Sequence, residues 1–161
     1  MGTIRAIVIS GNGTNCEMEM AHACRLGGFD RVDIVPVFDV LAGQVKLDDY
    51  HFLNLAGGFL DGDDLGSAKA AANTYKHARI GGEAEPIAQA IRRFIEQGKC
   101  ILGVCNGFQL LTKLGLLPAC DGEYFKQTAT LTFNASGRFE DRWIYLHVEP
   151  DSPCIFTRSM I

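Results

Sequence analysis

Apolar residues along the chain form short β-branched runs that alternate with segments of helical spacing. The runs predict strands and the spaced segments predict helices, because side chains on one face recur every two residues in a strand and every 3.6 in a helix. Four strands are predicted in this way, at residues 4–10, 32–38, 51–56 and 100–104. Pro36 places the second at a sheet edge or a strand end, since proline cannot donate to a ladder.

Helical spacing follows the first, third and fourth strands. In residues 16–28, Met20, Ala23, Cys24 and Gly27 recur at i, i+3, i+4 and i+7 before a glycine stop. Residues 85–97 and 106–114 show the same kind of spacing, each closed by a glycine. The polar, alanine-rich residues 61–83 predict a helical excursion near the surface.

Two further strands are predicted at residues 128–135 and 142–148, as antiparallel additions to the sheet. The order of strands and helices before them indicates an α/β fold, because strands that alternate with helices form an open, mostly parallel sheet covered by helices. We therefore expect a single domain over residues 1–161 with a three-layer α/β/α architecture.

Composition and charge exclude several classes of protein. The 161 residues carry a formal net charge of −4 and are 47% hydrophobic and 21% charged. This balance, without a Lys/Arg cluster, argues against nucleic acid or an anionic membrane as partner, and no apolar stretch is long enough to span a bilayer. The six cysteines form no C-x-x-C and no metal-type spacing with the four histidines, so no metal site is predicted.

The first predicted strand begins at residue 4, which leaves no room for a signal peptide before it. We therefore expect a reducing, cytoplasmic compartment in which the cysteines are free thiols.

Glycine loops follow three of the predicted strands, at residues 11–13, 57–58 and 103–107. Ligands of open parallel sheets bind beyond the carboxyl ends of the strands, so these loops are expected to meet at one site. The G-x-G at residues 11–13 does not complete a dinucleotide motif, because Cys16 stands where the third glycine belongs.

The third loop, Gly103-x-Cys105-x-Gly107, has the spacing of a nucleophile elbow, a sharp strand-to-helix turn that presents its central side chain. The positive end of the helix dipole favours the thiolate there. The N–H of Asn106 and an N–H of the 57–58 loop are placed to stabilise an oxyanion. The alternative is that Cys105 is a small buried apolar residue, which is our interpretation of the other cysteines. Cys16, near a helix start, is the candidate exception among them.

The segment GVCNGFQLLTKLGLLP resembles the class I glutamine amidotransferases, whose signature is G-x-C-x-G-x-Q. More narrowly, GTNCEMEMAHA, LAGGFLDGDDLGSAKAAAN and NASGRFEDRW are similar to glutaminase components of phosphoribosylformylglycinamidine synthases of purine biosynthesis. The resemblance implies a flavodoxin-like sheet and hydrolysis of glutamine. The ammonia would pass to a synthetase partner that uses ATP and Mg to make formylglycinamidine ribonucleotide, while this domain itself needs no cofactor.

The resemblance also implies roles for individual residues. Cys105 would attack the side-chain amide of glutamine and form a γ-glutamyl thioester. The oxyanion would be held by Gly57, Gly58 and Asn106. The residues implied to bind glutamine are Phe59, Gln109, Asn134 and Phe139.

The family completes its Cys-His-Glu triad with an H-G-E-G-like segment, which this sequence lacks. His147 and Glu149 are of the residue types that complete the triad. They lie, however, in and next to a strand-like run that precedes the position of the family's triad segment, so they do not correspond to it. We interpret His147 as an ordinary strand histidine. The expectation is therefore a domain truncated before the triad residues, with weak or absent hydrolysis.

Two other functions remain open at this point. One alternative is a non-catalytic scaffold that docks to a synthetase. The other is a different hydrolase with a cysteine elbow, or a thiol sensor. Gln109 disfavours this second alternative, because only a site that recognises glutamine has an evident role for it. Residues 61–83 are either a docking surface for the synthetase or a solvated helix face.

Overall fold

The computed structural model describes residues 2–82, 85–120, 122–157 and 160. Its strands are β1 (Arg5–Ser10), β2 (Arg31–Pro36), β3 (Phe52–Leu55) and β4 (Cys100–Gly103). Its helices are α1 (Glu17–Leu26), α2 (Val37–Leu41), α3 (Lys69–His77), α4 (Ile87–Glu96) and α5 (Asn106–Leu114). Short 3-10 turns lie at Leu47–Asp49, Leu60–Gly62 and Ile80–Gly82.

The sheet is parallel throughout, with the order β2-β1-β3-β4. β1 and β3 are central, and their connections run outward in opposite directions, first to β2 and later to β4. Strand order therefore reverses between β1 and β3, which opens a crevice beyond their carboxyl ends. The expected open α/β sheet is confirmed, and β2, which ends at Pro36, is an edge strand as predicted.

Helices cover both faces of the sheet, as a parallel sheet requires. On one face α1 packs Met20 and Ala21 against Val8 of β1. On the other face α3, α4 and α5 build the larger core against Ile7 and Ile9, the alternate residues of the same strand. The three-layer architecture follows from this alternation.

The predicted helices agree with the structure, and the excursion at 61–83 is helical in α3 and in two 3-10 turns. Glu83, its last residue, lies outside the described residues. Residues 37–41, expected partly as strand, form α2 because the strand ends at Pro36. No helix in the described ranges combines the length and the apolar character needed to cross a membrane.

The two strands expected at 128–135 and 142–148 are wrong. Both segments are irregular, and no residue between 128 and 157 is buried. Their apolar side chains favour a strand only when a pleated, half-buried surface receives them. Within the described residues they pair neither with each other nor with the open edge of β4, so no ladder forms.

Candidate active site

Cys105 lies at the sharp turn between β4 and α5, at the carboxyl edge of the sheet. Its backbone has φ 52° and ψ −111°, a conformation that non-glycine residues adopt rarely and that costs of order 1–3 kcal/mol. Val104 before it donates its N–H to Leu55 O of β3 (3.2 Å), and Gly107 after it donates to Val104 O (2.9 Å). The strained residue is thus fixed on both sides, and its side chain is exposed.

The two glycines of the elbow are required by close approach. A Cβ at Gly107 would stand 2.0 Å from Leu55 O, and one at Gly103 would stand 2.5 Å from Gly107 O. The first turn of α5 therefore lies directly on the end of β3. This contact brings the elbow against the loop that leaves β3.

That loop is held in an antiparallel bridge between Gly58 and Thr14. Asn15 donates its N–H to Gly57 O (3.2 Å), and Phe59 donates its N–H to Gly13 O (2.7 Å). The glycine loops after β1, β3 and β4 meet at one edge of the sheet, which was the basis of the predicted site.

The candidate oxyanion donors differ in availability. The Gly57 N–H donates to Cys16 Sγ (3.1 Å) and is therefore occupied. Within the part of the chain that the structure describes, the N–H groups of Gly58 and Asn106 have no acceptor. Of the three residues predicted for this role, Gly58 and Asn106 keep an N–H free for a ligand.

The side chain of Asn106, which the sequence did not indicate, ties the elbow to this loop. It is 1% exposed, and its Oδ1 accepts the Leu60 N–H (3.0 Å). Its Nδ2 donates to Asp63 Oδ2 and to Gln109 Oε1, both at 2.9 Å. These partners are 3 to 46 residues away in sequence, so only the fold reveals most of them.

The predicted glutamine-binding residues fall into two groups. Gln109 stands one turn beyond Cys105, oriented by Asn106, and Phe59 is exposed beside Gly58. Asn134 and Phe139 lie instead in an exposed turn, where Asn134 Nδ2 donates to Arg138 O (2.9 Å). Neither forms a hydrogen bond with the elbow within the described residues, and their role stays a prediction.

His147 and Glu149 form an exposed pair with each other. His147 is exposed, with Nε2 3.8 Å from Glu149 Oε1 in the irregular segment. No hydrogen bond to the Cys105 thiol is formed by any described residue. Across the described ranges, no three His, Cys, Asp or Glu side chains gather as a metal site would need.

A groove of about 500 Å³ adjoins the elbow on the α1 side of the sheet. Val104, next to the cysteine, and Cys16 line it together with Phe29, Phe52 and Phe156. Cys105 is therefore not packed among aliphatic side chains, and open space lies beside the turn that carries it.

Comparison with known proteins agrees with this geometry. Residues 3–161 match the family model of the CobB/CobQ-like glutamine amidotransferase domain. A phosphoribosylformylglycinamidine synthase subunit PurQ of Methanococcus maripaludis (strain C5) is 40% identical over 97% of this chain and 54% of its own length. The PurQ of Dehalococcoides mccartyi is 39% identical over 99% of this chain and 58% of its own.

Among solved structures, PurLQS from Thermotoga maritima has a chain with a TM-score of 0.63 and 34% identity, covering 89% of this chain and 54% of that one. The chain thus spans about half the length of the curated relatives it matches. The predicted resemblance is confirmed, and the chain belongs to the CobB/CobQ-like glutamine amidotransferase domain family.

Proposed function

We propose that the chain is the nucleophile-bearing part of a glutaminase that supplies ammonia to an ATP-dependent synthetase making formylglycinamidine ribonucleotide. The proposal rests on the strained, exposed Cys105 and on the backbone N–H groups of Gly58 and Asn106 on the adjoining turns, which have no acceptor among the described residues. The names of the curated relatives favour this branch of the family.

The chemistry follows from these groups. The Cys105 thiolate attacks the side-chain amide carbon of glutamine, and the carbonyl oxygen becomes an oxyanion that accepts hydrogen bonds from Gly58 and Asn106. The C–N bond then breaks as the nitrogen takes a proton and leaves as ammonia. Water hydrolyses the remaining γ-glutamyl thioester to glutamate and free thiol. Gln109, with its Oε1 held by Asn106, turns its Nε2 to the carboxylate end of the substrate.

A proton acceptor for the thiol is also required. Because no described residue provides one at Cys105, we assign the histidine and glutamate of the triad to the part of the complete protein that corresponds to the rest of its relatives' length. ATP and Mg are used by the synthetase, and α3 with its flanking turns is the proposed docking surface.

Glutamine turnover tests this proposal. The complete natural protein should release ammonia from glutamine, while the 161-residue chain and a Cys105→Ala variant should be at least about 10³-fold slower, as in other enzymes that lose a triad member. Equal turnover by the complete protein and by Cys105→Ala would contradict it. A non-catalytic scaffold would show no cysteine-dependent turnover and has no use for a strained, exposed cysteine.

A further inference from the structure

Cys16 lies outside the elbow, and among the described cysteines it is the one whose thiol hydrogen-bonds to the loop of the candidate oxyanion hole. It lies at the N-terminus of α1, where its carbonyl accepts the Met20 N–H (3.1 Å). α1 packs on β1 through Met20 and Ala21, so the helix start is fixed to the sheet. Its Sγ accepts the Gly57 N–H across 41 residues of sequence.

Gly57 lies between the two cysteines. A Cβ built on Gly57 would stand 3.0 Å from Cys16 Sγ and 3.3 Å from Cys105 Cβ. A side chain at this position would therefore fit only if the two cysteines shifted by a few tenths of an ångström. Of the two cysteines, Cys16 is the one whose hydrogen bond to the Gly57 backbone is seen among the described residues.

The hydrogen bonds of the Gly57 N–H and C=O determine which backbone N–H of this loop is left to donate to an oxyanion. The Gly57 C=O is held by the Asn15 N–H, and in a trans peptide the following N–H points the opposite way. The Gly58 N–H is therefore directed away from the segment that contains Asn15. Within the described ranges, the preceding peptide forms one hydrogen bond, from the Gly57 N–H to Cys16 Sγ.

We propose that Cys16 is a positioning residue for the glutaminase reaction: its sulfur holds the Gly57 N–H while Asn15 holds the Gly57 C=O, and the two bonds together direct the Gly58 N–H to the developing oxyanion. The inference rests on the proposed function. Without an acceptor, the Gly57 N–H is left unpaired, and the peptide before Gly57 can turn about the bonds that the Asn15 N–H and the Gly58 bridge still hold. Because the oxyanion bond forms only in the transition state, the loss appears in kcat rather than in KM.

The test compares Cys16→Ala, Cys16→Val and Cys16→Ser in the complete natural protein. Alanine and valine both lack an acceptor, and valine retains the volume, so packing and hydrogen bonding are separated. Serine restores an acceptor. Cys24→Ala is the matched control, since Cys24 is buried two turns further along α1 and forms no hydrogen bond with the loop among the described residues.

We expect kcat for glutamine hydrolysis to fall about 10–100-fold in the alanine and valine variants, with KM within about twofold, because small misplacements cost rates of this order. The serine variant should stay within about threefold of wild type, and Cys24→Ala should match wild type. Thermal unfolding identifies any variant that does not fold. If one Cys16 variant fails to fold, the kcat values of the other two test the proposal.

Alanine and valine variants with wild-type kcat would overturn the inference, as would a serine variant as slow as alanine or a loss confined to KM. In those cases the wild-type protein still hydrolyses glutamine and the proposed function stands. A wild-type protein that leaves glutamine intact would overturn both.

Discussion

Residues 100–103 and residues 142–148 are both short apolar runs, yet only the first is a strand. β4 pairs with β3 residue by residue, from Phe52 with Cys100 to Leu55 with Gly103. In residues 142–148, Trp143 and Tyr145 are fully exposed and no ladder forms in the described chain. Similar local patterns give different structures because a strand is stabilised by its neighbours.

The candidate site residues also divide between the packed sheet and the exposed segment. Cys105, Gly58, Asn106 and Gln109 are fixed by the sheet and by buried hydrogen bonds. The exposed segment does not fix Asn134, whose hydrogen bonds stay within its own turn. The chemistry we propose therefore depends on the packed part of the chain, and the following substitutions compare the two regions.

The largest expected difference is between a buried and an exposed aromatic residue. Phe94 of α4 is fully buried in the larger core, whereas Trp143 is fully exposed. In the 161-residue chain, Phe94→Ala should lower the free energy of unfolding by about 3–5 kcal/mol. Trp143→Ala should change it by no more than about 0.5 kcal/mol. Urea denaturation measures both, and similar losses would show that the 142–148 segment is packed after all.

A second comparison uses two glycines. An added methyl at Gly107 would collide with Leu55 O, while at Gly137 it would meet nothing within 4 Å. Gly107→Ala should destabilise the chain by about 2–3 kcal/mol through backbone displacement and should reduce glutamine turnover of the complete protein. Gly137→Ala, at φ 66°, should cost only about 1 kcal/mol of backbone strain. Equal costs would mean that the elbow does not lie directly on β3.

A third comparison uses two asparagines. Asn106→Ala leaves the Leu60 N–H without its acceptor and removes one of the hydrogen bonds that the Asp63 carboxylate accepts, and should cost about 1–3 kcal/mol of unfolding free energy. Asn134→Ala removes one exposed hydrogen bond and should cost no more than about 0.5 kcal/mol. Thermal unfolding of the two variants decides, and an Asn106 variant as stable as wild type would contradict the buried network.

The smallest effect is a pH dependence at the opposite end of the sheet. Hydrogen bonds from the Arg93 guanidinium, which also pairs with Glu85, hold the pKa of Asp48 below its usual value. A lowered folded-state pKa stabilises the protein above the unfolded-state pKa, and this contribution is lost as pH falls through the folded-state pKa.

Since Asp48 and Arg93 are each about 40% exposed, Asp48→Asn should cost less than about 1 kcal/mol at neutral pH. The variant should also lose less stability in acid than wild type does. Arg93→Gln should reduce the acid dependence in the same way, and an unchanged acid limb in both variants would contradict the assigned cause.

How far the sequence predicts the molecule depends on the range of the interactions. The spacing of Gly103, Cys105 and Gly107 is a local signal that predicts the elbow and the bounds of α5, although the packing of Gly107 on Leu55 of β3 is not local. The hydrogen bond from Gly57 to Cys16 and that from Leu60 to Asn106 join residues 41 and 46 apart. Their geometry depends on sheet order and helix placement, which residue spacing does not encode. Cys16 at a helix start was the one local signal for the first of these bonds.

The most direct test of the central claim is labelling of the complete natural protein with an electrophilic glutamine analogue, followed by peptide mapping. Cys120 and Cys154 are exposed like Cys105 and serve as internal controls for simple accessibility. We predict a single adduct at Cys105 that excess glutamine prevents. Labelling of the three cysteines at similar rates, without protection by glutamine, would contradict the assignment of Cys105 as the nucleophile of a glutamine site.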